Sequence, residues 1–428
     1  MRILIATIGS RGDVQPYLAL ALGLKAAGYE TAICTCPRYR SLISGSGIDH
    51  LPLDEGLIDL LESPAGRLLI GQLDSIPSAI RTALAVMKEV GPIHHRIVAD
   101  AWAACETFDP EVIVYHPKLF CMPAFAARRG ATAVLSPLLP MQVPTGELPF
   151  WGMPRLPLGA TYNRASWRLV ETLTRLGTAR YLQPWRRRHD PEGLSREASP
   201  SQTRRGEPIT VIHGYSPAVV ARPADWPAHA QVTGYWFLPS QSWAPPPELQ
   251  RFLEQGPPPI YVGFGSMAGI DPAATTRMVL AAIERAGVRA VIARGWGGMA
   301  STDVPPSVHV LDEAPHEHLF PRMAAVVHHG GAGTTAAGLR AGRPSLLCPF
   351  GIDQPYWGRR VHELGAGPAP LPQKRLNVER LAATLHELVS RPCYREAAAM
   401  LATAISAEDG IGVAVRSIAQ AHRQRLGQ

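Results

Sequence analysis

Short apolar runs recur along the chain, each stopped by glycine or a polar turn. Most are followed by a segment with helical spacing. The runs at Arg2 to Ile8, Glu30 to Cys36, Glu111 to Tyr115, Ala131 to Ser136 and Ile209 to His213 predict strands in the first half. Ile260 to Met267, Arg289 to Ala293, Val308 to Leu311, Met323 to Val327 and Pro344 to Phe350 predict strands in the second. Helices are expected at Tyr17 to Ala27, Tyr39 to Ser44, Glu248 to Gln255, Pro272 to Ala286, Ala336 to Ala341 and Val378 to Ser390, the last with Asn377 as N-cap. Cys393 to Gln428 reads as mostly helical. Continuous apolar strands alternating with helices predict parallel sheets with helices on both faces. The rhythm runs twice, before and after a proline-rich stretch, Pro239 to Pro259, that reads as a semi-rigid linker. Asp54 to Arg96 and Leu138 to Arg205 read as less regular insertions.

At 428 residues the chain exceeds one ordinary core, which agrees with two repeats. Its 46% apolar and 18% charged content is that of a soluble globular protein. The net charge is +7, but only four of the 42 basic residues are lysine. That bias, with abundant Ala, Gly and Pro, suggests a GC-rich bacterial genome and no nucleic-acid partner. The run Arg186 to Arg188 reads as a solvated helix end. The apolar start MRILIATI is too short for a signal peptide or membrane helix, so a cytoplasmic protein without an integral membrane segment is expected. Six scattered cysteines show neither zinc spacing nor a disulfide framework.

Chemistry is concentrated at the ends of three runs. The strand at Met323 to Val327 stops at His328, His329, Gly330, Gly331, Ala332, Gly333, Thr334 and Thr335, and a helix follows. Strand, glycine turn and helix aim free N–H groups and a helix dipole at an anion. His329 and the Thr334 hydroxyl can add donors. Asp353 and Gln354 follow the next run, past the carboxyl end of a strand, on the ligand side of an open α/β sheet. An acidic residue beside an amide can accept from and donate to adjacent hydroxyls. The first strand ends in GSRGDVQP, Gly9 to Pro16, with Asp13 expected just before a helix and Pro16 in its first turn. A helix cap and a catalytic base are both open to Asp13 from spacing alone. Trp296, after the strand Arg289 to Ala293, suits either a nucleobase stack or the core. His94, His95, His116 and His189 show no partner in the sequence and read as structural.

The stretch His329 to Gln354 resembles the donor signature of the inverting nucleotide-sugar glycosyltransferases of GT-B fold, the UDP-glycosyltransferase superfamily, in the branch of sterol and bacterial antibiotic glycosyltransferases. The resemblance implies an α/β fold of two Rossmann-like, doubly wound domains facing across a cleft. It implies an acceptor domain at 1–238, a linker at 239–259, a donor domain at 260–405 and a last helix, 406–428, crossing back to the first domain. Asp13, in an SRGD-x-x-P turn similar to that of this branch, is implied as the base that deprotonates the acceptor hydroxyl, with Ser10 and Gly12 near the donor. Gly265, Ser266, His329, Gly331, Gly333 and Thr334 are implied at the donor diphosphate, with a charge-assisted contact from His329. Trp296, Ala314 and His316 are implied at the nucleobase, and Asp353 and Gln354 at the donor sugar. Plant members read Trp-Ala-Pro-Gln where this chain has Glu313, Ala314, Pro315 and His316. Their ribose-holding glutamate is matched by Ala337, which leaves dTDP-sugars open beside UDP-sugars. In the family the two insertions, with Met141, Phe150, Trp151, Met153 and Trp167, build the acceptor pocket. The expected partners are a UDP- or dTDP-sugar and a small hydrophobic hydroxylated acceptor. No cofactor or metal is expected, since there is no Asp-x-Asp and a helix dipole can neutralise the diphosphate. A catalytically silent binding protein of the same fold is the alternative; a dinucleotide-dependent oxidoreductase ranks below it, because GSRGD lacks the full G-x-G-x-x-G.

Overall fold

A computed structural model describes residues 1–63, 76–150, 153–195, 207–240, 242–264, 272–294, 304–351 and 353–427. The chain forms two compact units: Met1–Pro239 with Asp409–Gln428, and Ser240–Glu408.

The first unit is built on seven parallel strands: β1 (Arg2–Ala6), β2 (Glu30–Thr35), β3 (Asp49–Pro52), β4 (Val112–Tyr115), β5 (Thr132–Leu135), β6 (Thr210–His213) and β7 (Ala230–Val232). Their order in the sheet is β3-β2-β1-β4-β5-β6-β7. Helices cover both faces. On one face, α1 (Arg11–Ala26) brings Tyr17, Leu20 and Leu24 against Ile3, Ile5 and Val114. On the other, α2 (Ile76–Phe108), α3 (Met122–Arg129) and α4 (Gly159–His189) supply Ile97, Trp102, Phe125 and Trp185.

Both insertions thus hold a long helix that the sequence reading leaves irregular. Pro92 lies inside α2 and Pro184 inside α4, and proline reads as a helix stop. Packing decides otherwise: Trp102 and Trp185 meet edge-on at 5.1 Å, with Phe125 4.6 Å from Trp185. Trp167, in the second insertion, is buried and packs edge-on against Phe150 at 5.0 Å, the buried helix face expected of most apolar residues there.

The second unit repeats the plan with five parallel strands: β8 (Ile260–Gly263), β9 (Ala290–Ala293), β10 (Val308–Leu311), β11 (Ala325–His328) and β12 (Ser345–Leu347). Their order is β10-β9-β8-β11-β12. Strands β8 and β11 are buried along their whole length, as expected of central parallel strands. Around them lie α5 (Pro247–Glu254), α6 (Pro272–Ala286), α7 (Ala332–Arg340), α8 (Gln354–Glu363), α9 (Val378–Ser390) and α10 (Pro392–Ser406). Asn377 caps α9 by accepting from the Arg380 N–H at 2.8 Å. The final helix, α11 (Gly410–Leu426), lies in the first unit, where Ala414, Ile418 and Ala421 join the core beside α1, over β5 and β6.

In each sheet the order reverses at one place, between β1 and β4 and between β8 and β11. Connections leave such a switch point in opposite directions. The crevice at the carboxyl ends of the two strands is where open α/β sheets bind ligands.

Candidate active site

The switch point of the first sheet holds a carboxylate cluster. Helix α1 begins at Arg11, earlier than its spacing predicts, so Asp13 lies in the first turn rather than before it, and Pro16 lies in the second turn. One Asp13 oxygen, Oδ2, accepts from the Ser10 N–H at 2.8 Å and the Ser10 hydroxyl at 3.1 Å. The cap role open to Asp13 is therefore real, with Ser10 as N-cap. Gly9 has φ +142°, and a Cβ there would lie 2.2 Å from the Asp13 carboxylate, so only glycine lets the turn close on the acid.

The other oxygen, Oδ1, faces the loop after β4. Lys118 Nζ stands 3.1 Å from it and His116 Nε2 3.5 Å. His116 thus has a partner that the sequence does not reveal. The Lys118 N–H donates to His116 Nδ1 at 3.1 Å, which leaves the ring proton on Nε2, directed at Asp13. Burial alone would raise the Asp13 pKa. The Lys118 charge and the His116 hydrogen bond override it and hold the carboxyl well below the usual carboxylate range. Burial pushes the His116 pKa down, so the imidazole is neutral near neutral pH. Asp13 keeps 23% of its side chain exposed and is the member of the cluster with acceptor capacity left.

The second switch point carries the glycine turn. His328 is fully buried, and its Nδ1 accepts from the Gly330 N–H at 3.1 Å. Gly330 has φ +99°; a Cβ there would meet the Gln354 backbone oxygen and Cβ at 3.2 Å. The turn is thereby pressed onto the start of α8. Gly331 is the N-cap of α7, and no side chain caps that end, so Ala332, Gly333 and Thr334 form a first turn aimed outward from the strand end. His329 lies beside it: a Cβ on Gly331 would come within 2.7 Å of its Nε2. Burial lowers the His329 pKa to about 4, against a smaller raising influence of the Gly263 backbone across the switch point. Near neutral pH the ring is uncharged, because desolvation outweighs the one influence that favours its proton.

Gln354 is buried, and its side-chain oxygen accepts from the Phe350 N–H at 2.8 Å. The Asp353 carboxylate accepts from the Trp357 indole N–H at 3.1 Å. Both residues therefore also hold the β12–α8 turn. Ala314 precedes the short helical turn His316–Leu319, where His316 stacks on Phe320 at 4.3 Å. Gly265, Ser266 and Trp296 lie outside the described residues. Among the described residues no group of three or more His, Cys, Asp or Glu could hold a metal ion.

Residues 3–101 match the N-terminal domain of glycosyltransferase family 28, and residues 279–415 match the C-terminal domain of the erythromycin biosynthesis protein CIII-like family. A sterol 3-beta-glucosyltransferase of Arabidopsis thaliana is 34% identical over 423 residues, covering 97% of this chain and 67% of that protein. A sterol 3-beta-glucosyltransferase of Emericella nidulans is 33% identical over 436 residues, covering 98% of this chain and 30% of the fungal protein. The chain thus spans about two thirds of the plant relative's length and under a third of the fungal one's. Among solved structures, the calicheamicin glycosyltransferase CalG4 superposes with a TM-score of 0.68 at 17% identity, covering 100% of this chain and 99% of that one. The glycosyltransferase VinC in complex with dTDP gives 0.67 at 20%, covering 99% and 100%. The fold is GT-B. A plant relative is about a third identical along nearly all of this chain, and the chain belongs to the UDP-glycosyltransferase family.

Proposed function

We propose that the chain is an inverting O-glycosyltransferase that moves a hexose from a UDP- or dTDP-sugar to a hydroxyl of a small apolar acceptor, without a metal. The observation that carries the reading is the uncapped N-terminus of α7, reached through the Gly330 turn and flanked by His329. Its N–H groups and dipole suit a diphosphate, and they stabilise it most as its charge grows on bond cleavage. In the reaction the acceptor hydroxyl gives its proton to Asp13. The oxygen attacks the anomeric carbon from the face opposite the nucleotide. The bond to the diphosphate breaks, and its electron pair leaves with the nucleoside diphosphate.

Gly265, Ser266, Gly331, Gly333, Thr334 and a neutral His329 are assigned to the diphosphate. Trp296, Ala314 and His316 are assigned to the base, and Asp353 and Gln354 to the sugar, with Ser10 holding the Asp13 loop. The sterol glucosyltransferase relatives favour a sterol-like acceptor. Ala337 favours tolerance of a donor without a ribose 2′-hydroxyl, as in dTDP, and with it a role in bacterial antibiotic-type secondary metabolism. Five of the six cysteines are buried free thiols, which suits the cytoplasm.

The test is Asp13→Asn. Turnover should fall by about 10²–10⁴-fold while nucleotide diphosphate affinity stays at the wild-type value. Wild-type turnover in this variant removes Asp13 as the base. Thermal shift against UDP and dTDP, then mass spectrometry of products from hydroxylated sterols and polyketides, identifies donor and acceptor. A chain stabilised by neither nucleotide does not take a UDP- or dTDP-sugar.

A further inference from the structure

Helix α4 has two faces of unlike character. One packs Trp167, Tyr181, Leu182 and Trp185 into the first unit. The opposite face carries Leu169, Leu173 and Leu176, spaced by four and three residues, and these are 50%, 58% and 65% exposed. Leu158, just before the helix, is 61% exposed. Scattered exposed leucines need no explanation, but a stripe at helical spacing on the outside of a folded unit does.

Charge gathers on the same segment. Residues 153–189 hold eight arginines and one glutamate, a net +7, which equals the formal charge of the whole chain. The remaining residues are therefore balanced. Arg164 pairs with Asp225 at 3.0 Å and is used by the fold. Arg168 and Arg175 are exposed, each one residue before a stripe leucine, so both flank the stripe on one side. Arg187, also exposed, continues its line toward the end of the helix, whereas the Arg180 guanidinium folds back over the Tyr181 ring at 4.7 Å.

We propose that this face of α4 docks the chain on an anionic membrane surface, leucines in the acyl boundary and arginines at lipid phosphates. A nucleic acid would satisfy the arginines and leave the leucines in water. An apolar protein groove would take the leucines and leave a concentrated positive charge unanswered. A bilayer with anionic headgroups answers both. The association is peripheral: among the described residues no single helix is long and apolar enough to cross a membrane. Docking itself does not depend on the proposed reaction. Where that reading holds, it brings the enzyme to the phase in which apolar acceptors dissolve.

The experiment is co-sedimentation of the full chain with phosphatidylcholine vesicles, with and without phosphatidylglycerol. Binding should require the anionic lipid and fall about tenfold or more at about 1 M salt, where the Debye length is about 3 Å. Arg168→Glu with Arg175→Glu should weaken binding about tenfold or more. Leu169→Ser, Leu173→Ser and Leu176→Ser together should abolish it, with melting temperature and nucleotide affinity unchanged. Equal binding to both vesicle types, or wild-type binding by the serine variant, overturns the proposal. So does tight binding of RNA without vesicle binding, or a dimer that the serine variant dissociates. If vesicles bind as described but no nucleotide-sugar is turned over, docking stands and the proposed reaction falls. Turnover without vesicle binding gives the reverse.

Discussion

Lys118 sets the chemistry open to Asp13. With its ammonium 3.1 Å away, the carboxylate stays ionised to unusually low pH and is a weak base. Replacing Lys118 by Met removes the attraction but leaves the burial that raises the pKa, so the variant's Asp13 pKa rises. The Asp13 limb of the pH profile should then move to higher pH. kcat/KM at about pH 5 should fall relative to about pH 8 in Lys118→Met and stay level in the wild type. An unmoved limb means another group accepts the proton. The folded-state depression also links Asp13 to stability: its contribution is present above the unfolded pKa of about 3.9 and lost as pH falls through the lower folded value. Asp13, His329 and the Asp353–Gln354 pair are legible in sequence because each sits in a local pattern of strand end, turn and helix start. His116 and Lys118 are not. They lie about a hundred residues from Asp13 and reach it only because β4 pairs with β1.

At the scale of elements, the β11–α7 turn and helix α11 make the sharpest claims. Gly330→Ala must hold a non-glycine residue at φ +99° and fit a methyl against the Gln354 backbone. Such strain costs about 1–3 kcal/mol, and nucleotide affinity should weaken with it. Equal melting temperature and equal affinity in the variant mean that the turn is not held this way. Ile418 on α11 is fully buried in the first unit's core. Ile418→Ala should destabilise the protein by about 2–5 kcal/mol in urea unfolding, although the residue stands near the chain's end. A loss within about 0.5 kcal/mol would mean α11 is not part of that core. The reading of proline as a helix stop fails for α2 and α4, because burial of Trp102 and Trp185 outweighs one missing hydrogen bond in each helix.

For the whole molecule, buried neutral histidines predict acid lability. Burial lowers His213 to about 4 and His328 well below its ordinary value, and both are fully buried. A histidine with a depressed folded pKa binds its proton more readily when unfolded. Its contribution is therefore complete above the unfolded value of about 6.5 and is lost as pH falls toward the folded one. For His213 alone the loss is on the order of 3 kcal/mol. The urea midpoint should drop between about pH 7 and about pH 4, and less steeply in His213→Gln. A midpoint that is level across that range means these rings are not held neutral.

Apolar runs and glycine turns along the chain determined most strand positions of both sheets, their parallel sense and the β11–α7 turn. These depend on side-chain period and on backbone freedom, which neighbours in sequence already express. The edge strands β3 and β7 escaped, since DHLP and AQV are too short and too polar to stand out. Only the tertiary structure decided which ends of chain meet: Asp13 with His116 and Lys118, His329 with Gly263, and α11 with α1, β5 and β6. Those pairings follow from strand order, and strand order is settled by packing over the whole unit rather than by any local run of residues.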